Sequence, residues 1–245
     1  MSAVLVIAGS DSSGGAGLVR DVRTLTELGS EALCALTAVT AQSDREVIAV
    51  YPLPHQLVRA QMDAALATGR VGAIKIGMLA TAATVRAVAE TLARHAGLPV
   101  VLDPVLAASS GGALLDADGL CALRELLLPC AHLLTPNIPE AAALLAAPVA
   151  ESEAELLRQG QALLALGSHA VLLKGGHSSA AEATDLLVSP RQPLRRFAAP
   201  RIGASRRGTG CTLASAIAAG LAAHLTLSAA CARAKSYVTQ FLQRG

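Results

Sequence analysis

The stretch VGAIKIGMLATAATVRAVAETLARHAGLPVVLDPV, residues 71–105, decides how the rest of the chain is read. VGAIKI (71–76) and LPVVLD (98–103) are apolar runs of strand length next to glycine or proline. Between them AATVRAVAETLARH (82–95) repeats its apolar residues at helical spacing. Strand, helix and strand follow one another, and the rhythm continues in both directions. Upstream lie VLVIA (4–8) and ALCALTAV (32–39), and downstream HLLT (132–135) and AVLLK (170–174). Helical patterns cover 16–29, 54–67, 119–128 and 151–166. This alternation predicts an α/β fold with a mostly parallel central sheet covered by helices on both faces. Segments 46–54, 185–189 and 193–199 are candidate strands outside the rhythm.

At 245 residues the chain suits one continuous core, so a single domain over 1–245 is expected. A net charge of +2 with 2% aromatic residues leaves little to grip phosphate backbones or stack bases, which argues against a nucleic-acid partner. Cys34, Cys121, Cys130, Cys211 and Cys231 form no C-x-x-C pair, which predicts reduced thiols. The N-terminal apolar run is too short and too poor in basic residues for a signal sequence, and no later run reaches membrane-spanning length. A soluble cytoplasmic protein is expected.

In folds of this class ligands bind beyond the carboxyl ends of the strands. Polar residues gather at those ends: GSDSSGGAG, TAQSD, GML, DPVLAASSGG and TPNIPE each follow an apolar run. Gly9 and Gly14 have the spacing of a Walker A turn, but Gly15 and Ala16 stand where lysine and Ser or Thr are required, so that reading is rejected. Asp21, in the next helix, either faces solvent or points back to the cleft. Asp103 ends a strand before Pro104, which holds it extended. Asn137 and Glu140 have capping-box spacing, while Asp103 and Glu140 together offer oxygen ligands suited to Mg²⁺. Lys174 ends a strand where its ammonium can meet a phosphate. It and Lys75 lie in apolar strands, where an idle charge is costly. Gly208, Thr209 and Gly210 make a turn ahead of a helix read from Thr212 to Ala223. Taken alone, Cys211 is an ordinary buried thiol; at a helix N-terminus, free N–H groups and the dipole attract anions and bias it toward thiolate.

IAGSDSSGGAG, TAQ, KIGML, VVLDPV, LLTPNIPEA, VLLKGGH and GTGCTLASAIAAGLA resemble, in order and spacing, the bacterial hydroxymethylpyrimidine and phosphomethylpyrimidine kinases of thiamine biosynthesis. The resemblance runs over nearly the whole chain. It implies a ribokinase-like three-layer fold, a homodimer, and phosphorylation of 4-amino-5-hydroxymethyl-2-methylpyrimidine (HMP) and HMP phosphate with ATP and Mg²⁺. By the same resemblance Gly208, Thr209 and Gly210 form the anion hole and Cys211 takes the proton of the hydroxymethyl group. Gly9, Asp21, Gln42, Met78 and Val105 would line the pyrimidine pocket, with Gln42 on the aminopyrimidine edge and Asp21 on its amino or hydroxyl group. Asn137, Glu140 and Lys174 would serve the ATP phosphates, with Asp103 and Glu140 near Mg²⁺. Where the family has a lysine and an aspartate after its DPV motif, this chain has Ser109 and Gly112. Arg206 or Arg207, just before the anion hole, is the expected replacement as a phosphate clamp. Two other readings stand beside this one. A pyridoxal kinase is opposed by Gln42, and a degenerate kinase acting as a pyrimidine sensor is opposed by the intact GTGC, Asn137 and Glu140.

Overall fold

The computed structural model describes residues 2–108, 111–175, 182–190, 192–203 and 206–244. Among them nine strands form one sheet: β1 (Ala3–Asp11), β2 (Glu31–Gln42), β3 (Val47–Pro52), β4 (Val71–Ile76), β5 (Val100–Leu102), β6 (Leu133–Leu134), β7 (Val171–Leu173), β8 (Glu182–Val188) and β9 (Arg195–Pro200). Their spatial order is β3-β2-β1-β4-β5-β6-β7-β8-β9. The six strands from β2 to β7 in that order pair in parallel. The three candidate segments outside the rhythm become β3, β8 and β9, and these pair antiparallel at the two edges.

The helices are α1 (Gly17–Glu27), α2 (His55–Leu66), α3 (Ala82–Ala93), α4 (Ala117–Ala122), α5 (Ile138–Leu145), α6 (Glu153–Ala165), α7 (Thr209–Ala222) and α8 (Leu227–Gln243). The helix expected over 119–128 is one departure. Regular helix ends at Ala122, a π turn covers Leu123–Leu127, and a 3₁₀ turn containing Pro129 covers Leu128–Cys130. Widening the turn lets Leu123, Leu127 and Leu128 all reach the core, where each is at most 2% exposed.

Strand alternation divides the core in two. In β1, Leu5 and Ile7 face a cluster that includes Val58 and Met62 of α2, Val85 and Val88 of α3 and Leu163 of α6. Val4, Val6 and Ala8 face the opposite cluster, with Leu25 of α1, Ile217 of α7 and Val238 of α8. The result is the three-layer arrangement that the pattern predicts. Parity also decides where the charged strand-end residues go. Ala73, Val101 and Leu172 lie on the α7 face. Two residues further along their strands, Lys75, Asp103 and Lys174 come to that same face.

α7 is built from small residues because it is wedged against the sheet, α1 and α8. Every residue from Thr212 to Ala222 is buried. A Cβ on Gly220 would lie 2.9 Å from the Ala230 Cβ of α8. Gly220→Ala would gain about 1 kcal/mol of helix propensity, but overpacking of this kind costs about 1–3 kcal/mol. Urea denaturation should therefore show a net loss of stability; a gain would mean that α8 yields freely.

Candidate active site

A cleft of about 1010 Å³ opens at the carboxyl edge of the parallel strands. Gly9, Gln42, Met78 and Val105 line it beside β1, β2 and β4. Asp103, Glu140, Lys174 and the first turn of α7 line its middle, and Asp185 and Lys235 line it beside β8 and α8.

At the first end, the missing Cβ of Gly9 gives Met78 its place, since a Cβ there would lie 2.7 Å from the Met78 sulfur. Thr37 Oγ1 donates to the Met78 carbonyl at 2.6 Å and fixes the backbone. Met78, Ala38, Ala80 and Leu114 form a small apolar cluster against which Val105 packs. Ser12 Oγ donates to the Gln42 carbonyl at 2.7 Å and accepts from its N–H at 2.8 Å. The Gln42 side-chain amide stays nearly uncommitted, with Thr40 Oγ1 3.4 Å from its oxygen.

Asp21 does not line the cleft, contrary to the role that the resemblance assigns it. Its carboxylate is fully buried, accepting from Lys75 Nζ at 2.7 Å and from Ser215 Oγ of α7 at 2.7 Å. A desolvated carboxylate needs a countercharge, and strand parity sets Lys75 opposite it. The residue that reaches the cleft is Lys75. Gly77 leaves it room, because a Cβ there would lie 2.8 Å from Nζ. Burial alone would favour loss of the Lys75 proton, but attraction from Asp21, Cys211 and Asp103 outweighs it and raises the pKa above the ordinary lysine value.

α7 begins three residues before the expected start, with Gly208 as its N-cap in the left-handed region at φ 74°. A Cβ at Gly208 would lie 2.2 Å from the Gly15 carbonyl oxygen, so this backbone can cross the glycine-rich turn only without a side chain. No side chain caps α7, which leaves its first N–H groups available to an anion. Lys174 and Asp103 face this turn: a Cβ on Gly210 would lie 3.3 Å from Lys174 Nζ and 3.6 Å from Asp103 Oδ2.

Cys211 is the third residue of α7 and not its cap. The expectation of a resting thiolate is corrected. Although the residue is partly exposed, burial of the thiol pushes its pKa up to about 11. Lys75 pulls it down, Asp21 and Asp103 push it up, and the Gly17 N–H donated to the sulfur pulls it down. Desolvation outweighs the helix dipole here.

Asn137 and Glu140 form the capping box of α5. The Asn137 N–H donates to Glu140 Oε2 at 2.7 Å, and the Glu140 N–H donates to Asn137 Oδ1 at 2.8 Å. Lys174 Nζ lies 2.8 Å from Asp103 Oδ1 and 3.4 Å from Glu140 Oε2. Burial raises the Glu140 pKa, with Lys174 opposing and Asp103 reinforcing. The donor set suits Mg²⁺, which takes one or two carboxylates and fills the rest of its shell with water and phosphate oxygens. Asp103 Oδ2 has no hydrogen-bond partner among the described residues. No group of three or more His, Cys, Asp or Glu side chains able to hold a metal occurs among them either.

The arginine clamp is corrected too. Arg206 donates to the Phe241 carbonyl at 2.7 Å, and its guanidinium stands 4.1 Å from the centre of the Phe241 ring. Arg207 pairs with Asp11 at 2.9 Å and Asp44 at 3.1 Å, and donates to Ser13 Oγ at 2.7 Å. Both arginines line the cleft, but the contacts that hold each guanidinium are with the protein itself. Asp11, 4% exposed, requires this cation, and it also accepts from the Ser13 and Ala16 N–H groups, which shapes the glycine-rich turn. Ser109 lies outside the described residues. Asp11, Asp185 and the cleft positions of Lys75 and Lys235 were missed from sequence; alternation along β4 was the available signal for Lys75.

The family model for phosphomethylpyrimidine kinase matches residues 11–245. A hydroxymethylpyrimidine/phosphomethylpyrimidine kinase of Rhizobium meliloti is 47% identical over 235 residues, which make up 96% of this chain and 88% of the relative. The crystal structure of phosphomethylpyrimidine kinase from Clostridium difficile 630 matches with a TM-score of 0.87 at 34% identity, over 98% of this chain and 99% of that one. Pyridoxal kinase from Staphylococcus aureus in complex with AMP-PCP and pyridoxal matches with a TM-score of 0.88 at 29% identity, over 98% and 87% of the two chains. The chain belongs to the phosphomethylpyrimidine kinase family.

The state of the thiol is open to direct measurement. With a pKa raised to about 11, Cys211 holds its proton throughout the neutral range, and only the thiolate is nucleophilic. Alkylation of Cys211 by iodoacetamide, followed peptide by peptide in the free protein, should still be accelerating with pH at pH 9. A rate already level by pH 8 would show a resting thiolate.

Proposed function

We propose that this member of the phosphomethylpyrimidine kinase family transfers the terminal phosphoryl group of ATP to the hydroxymethyl oxygen of HMP, and then to the phosphate of HMP phosphate, in thiamine biosynthesis. One observation carries the reading. An uncapped helix N-terminus, with a thiol in its first turn and Lys174 and Asp103 against it, stands beside an apolar slot edged by one amide whose sole side-chain contact among the described residues is a 3.4 Å bond from Thr40 Oγ1.

In this reading Gly9, Met78 and Val105 form the slot for the pyrimidine ring. Gln42 offers a donor and an acceptor, which suits the aminopyrimidine edge. Attack by the hydroxymethyl oxygen forms the new O–P bond, the bond to the ADP oxygen breaks, and the hydroxyl proton passes to the Cys211 sulfur. The proton acceptor is the thiolate, a minority form in the resting protein that Lys75 and the Gly17 N–H favour. In a loose transition state charge spreads over the equatorial oxygens of the transferring group. The N–H groups at Gly208, Thr209, Gly210 and Cys211 meet that charge without reorganising. Lys174 adds a cation there, aimed by Asp103 and Glu140, and the Asn137 capping box holds Glu140 in place. Arg206 and Arg207 keep the wall of the cleft in shape. Asp103 and Glu140 are the residues that would hold Mg²⁺, directly or through water, and the ion would neutralise charge on the phosphates.

The reading extends to a cytoplasmic homodimer. No described helix is long and apolar enough to cross a membrane.

Incubation with MgATP and either HMP, HMP phosphate or pyridoxal, with products identified by mass spectrometry, tests the proposal. HMP should give its monophosphate and then its diphosphate, and Cys211→Ala should slow the first step, in which the hydroxyl proton is transferred, by about 10²–10⁴-fold while HMP still binds. Absence of HMP phosphorylation, or faster conversion of pyridoxal, would overturn it.

A further inference from the structure

The chain has three lysines, 75, 174 and 235, among twenty Lys and Arg residues. All three line the cleft, and each is paired with an aspartate. The first two lie beside the proposed substrate slot and transfer point; Lys235 takes no part in that chemistry. It projects from α8, and its Nζ donates to Asp185 Oδ2 of β8 at 2.9 Å. The other oxygen, Asp185 Oδ1, accepts the Gly175 N–H at 3.0 Å. Both oxygens of a carboxylate that is 4% exposed are thus engaged. The ammonium has three N–H donors, and Asp185 is its hydrogen-bond partner among the described residues. Its side chain is 13% exposed, so the remaining donors have little access to bulk water. Val238 and Leu242 follow Lys235 along α8 and line the cleft with it, as do Ala199, Pro200 and Ile202, with Arg201, Arg206 and Thr239 among them. A flat apolar group carrying an acceptor would satisfy both the walls and the donors.

The order of strands says where that stretch lies along the cleft. The slot with Gln42 and Met78 lies beside β2, β1 and β4, Lys174 follows β7, and Lys235 lies beyond it, against β8. Given that the phosphates lie against Lys174 and α7, the part of the donor furthest from the pyrimidine reaches Lys235. We propose that Lys235 contacts the nucleoside moiety of the phosphoryl donor, donating a hydrogen bond to an acceptor on its base or ribose while Asp185 holds the ammonium in position. The proposal rests on the kinase reading above.

Calorimetry on the full chain, with ADP and Mg²⁺ on one side and inorganic tripolyphosphate and HMP on the other, tests it. Lys235→Met should weaken ADP by about tenfold or more and leave tripolyphosphate and HMP within about twofold of wild type. Equal ADP affinity in variant and wild type would overturn the proposal, as would parallel losses of ADP and tripolyphosphate, which would assign the lysine to the phosphates. If the variant does not fold, the wild type labelled at its lysines decides. The Lys235 ammonium signal, assigned through Lys235→Arg, should move on addition of ADP and stay in place with tripolyphosphate; the same shift with both overturns the proposal. A wild type that binds no ADP would instead overturn the kinase reading itself, and this inference with it.

Discussion

Lys75 and Asp21 meet at 2.7 Å with neither side chain exposed, and the arrangement of the cleft depends on that contact. Removing one partner of a buried ion pair costs about 3–5 kcal/mol, whereas replacing both with well-packed apolar residues is often neutral. The fold alone therefore gives no reason for the pair. The geometry does. Asp21 belongs to α1 and Lys75 to β4, and Ser215 of α7 completes the contact, so three elements are tied together directly behind Cys211. Lys75 keeps its charge while facing the cleft, and that charge acts on the thiol.

The same solution recurs along the cleft. Lys174 stays charged beside Asp103, and Lys235 is anchored by Asp185. Each pair bridges elements distant in sequence, and each brings a desolvated ammonium to a wall where anionic or acceptor groups of a ligand can replace water. Arginine is used differently here. Arg207 neutralises Asp11 under the glycine-rich turn, and Arg206 fastens the approach to α7 onto Phe241 of α8. Planar forks suit such multiple fixed contacts, while a lysine leaves donors to spare.

What was legible in the sequence follows from these physics. The stretch 71–105 reads as β4, α3 and β5 because its periods are clean, and the rest of the parallel sheet follows from repeating that rhythm. Gly9, Gln42, Met78, Val105, Asp103, Glu140, Lys174 and Cys211 line one cleft because each sits at a strand's carboxyl end or a helix start. Asp21 was not legible in this way, since the rotation of α1 against the sheet is a tertiary outcome. The thiol was misjudged because a helix terminus can be recognised in sequence while desolvation cannot. Arg206 and Arg207 find partners in Phe241 and Asp11, the latter 196 positions away, and no local pattern announces either. The π turn at Leu123–Leu127 was hidden by an apolar run that fits an ordinary helix equally well.

The charge on Lys75 is the most direct test. With three lysines in the chain, lysine labelled with ¹³C and ¹⁵N gives few enough signals to follow each through a pH titration by NMR, with Lys75→Arg for assignment. Lys75 should remain an ammonium past 10.5, the ordinary lysine value, and Asp21→Asn should bring its titration below that of the wild type. A wild-type Lys75 that loses its proton at or below 10.5 would contradict a buried, aspartate-held cation behind Cys211.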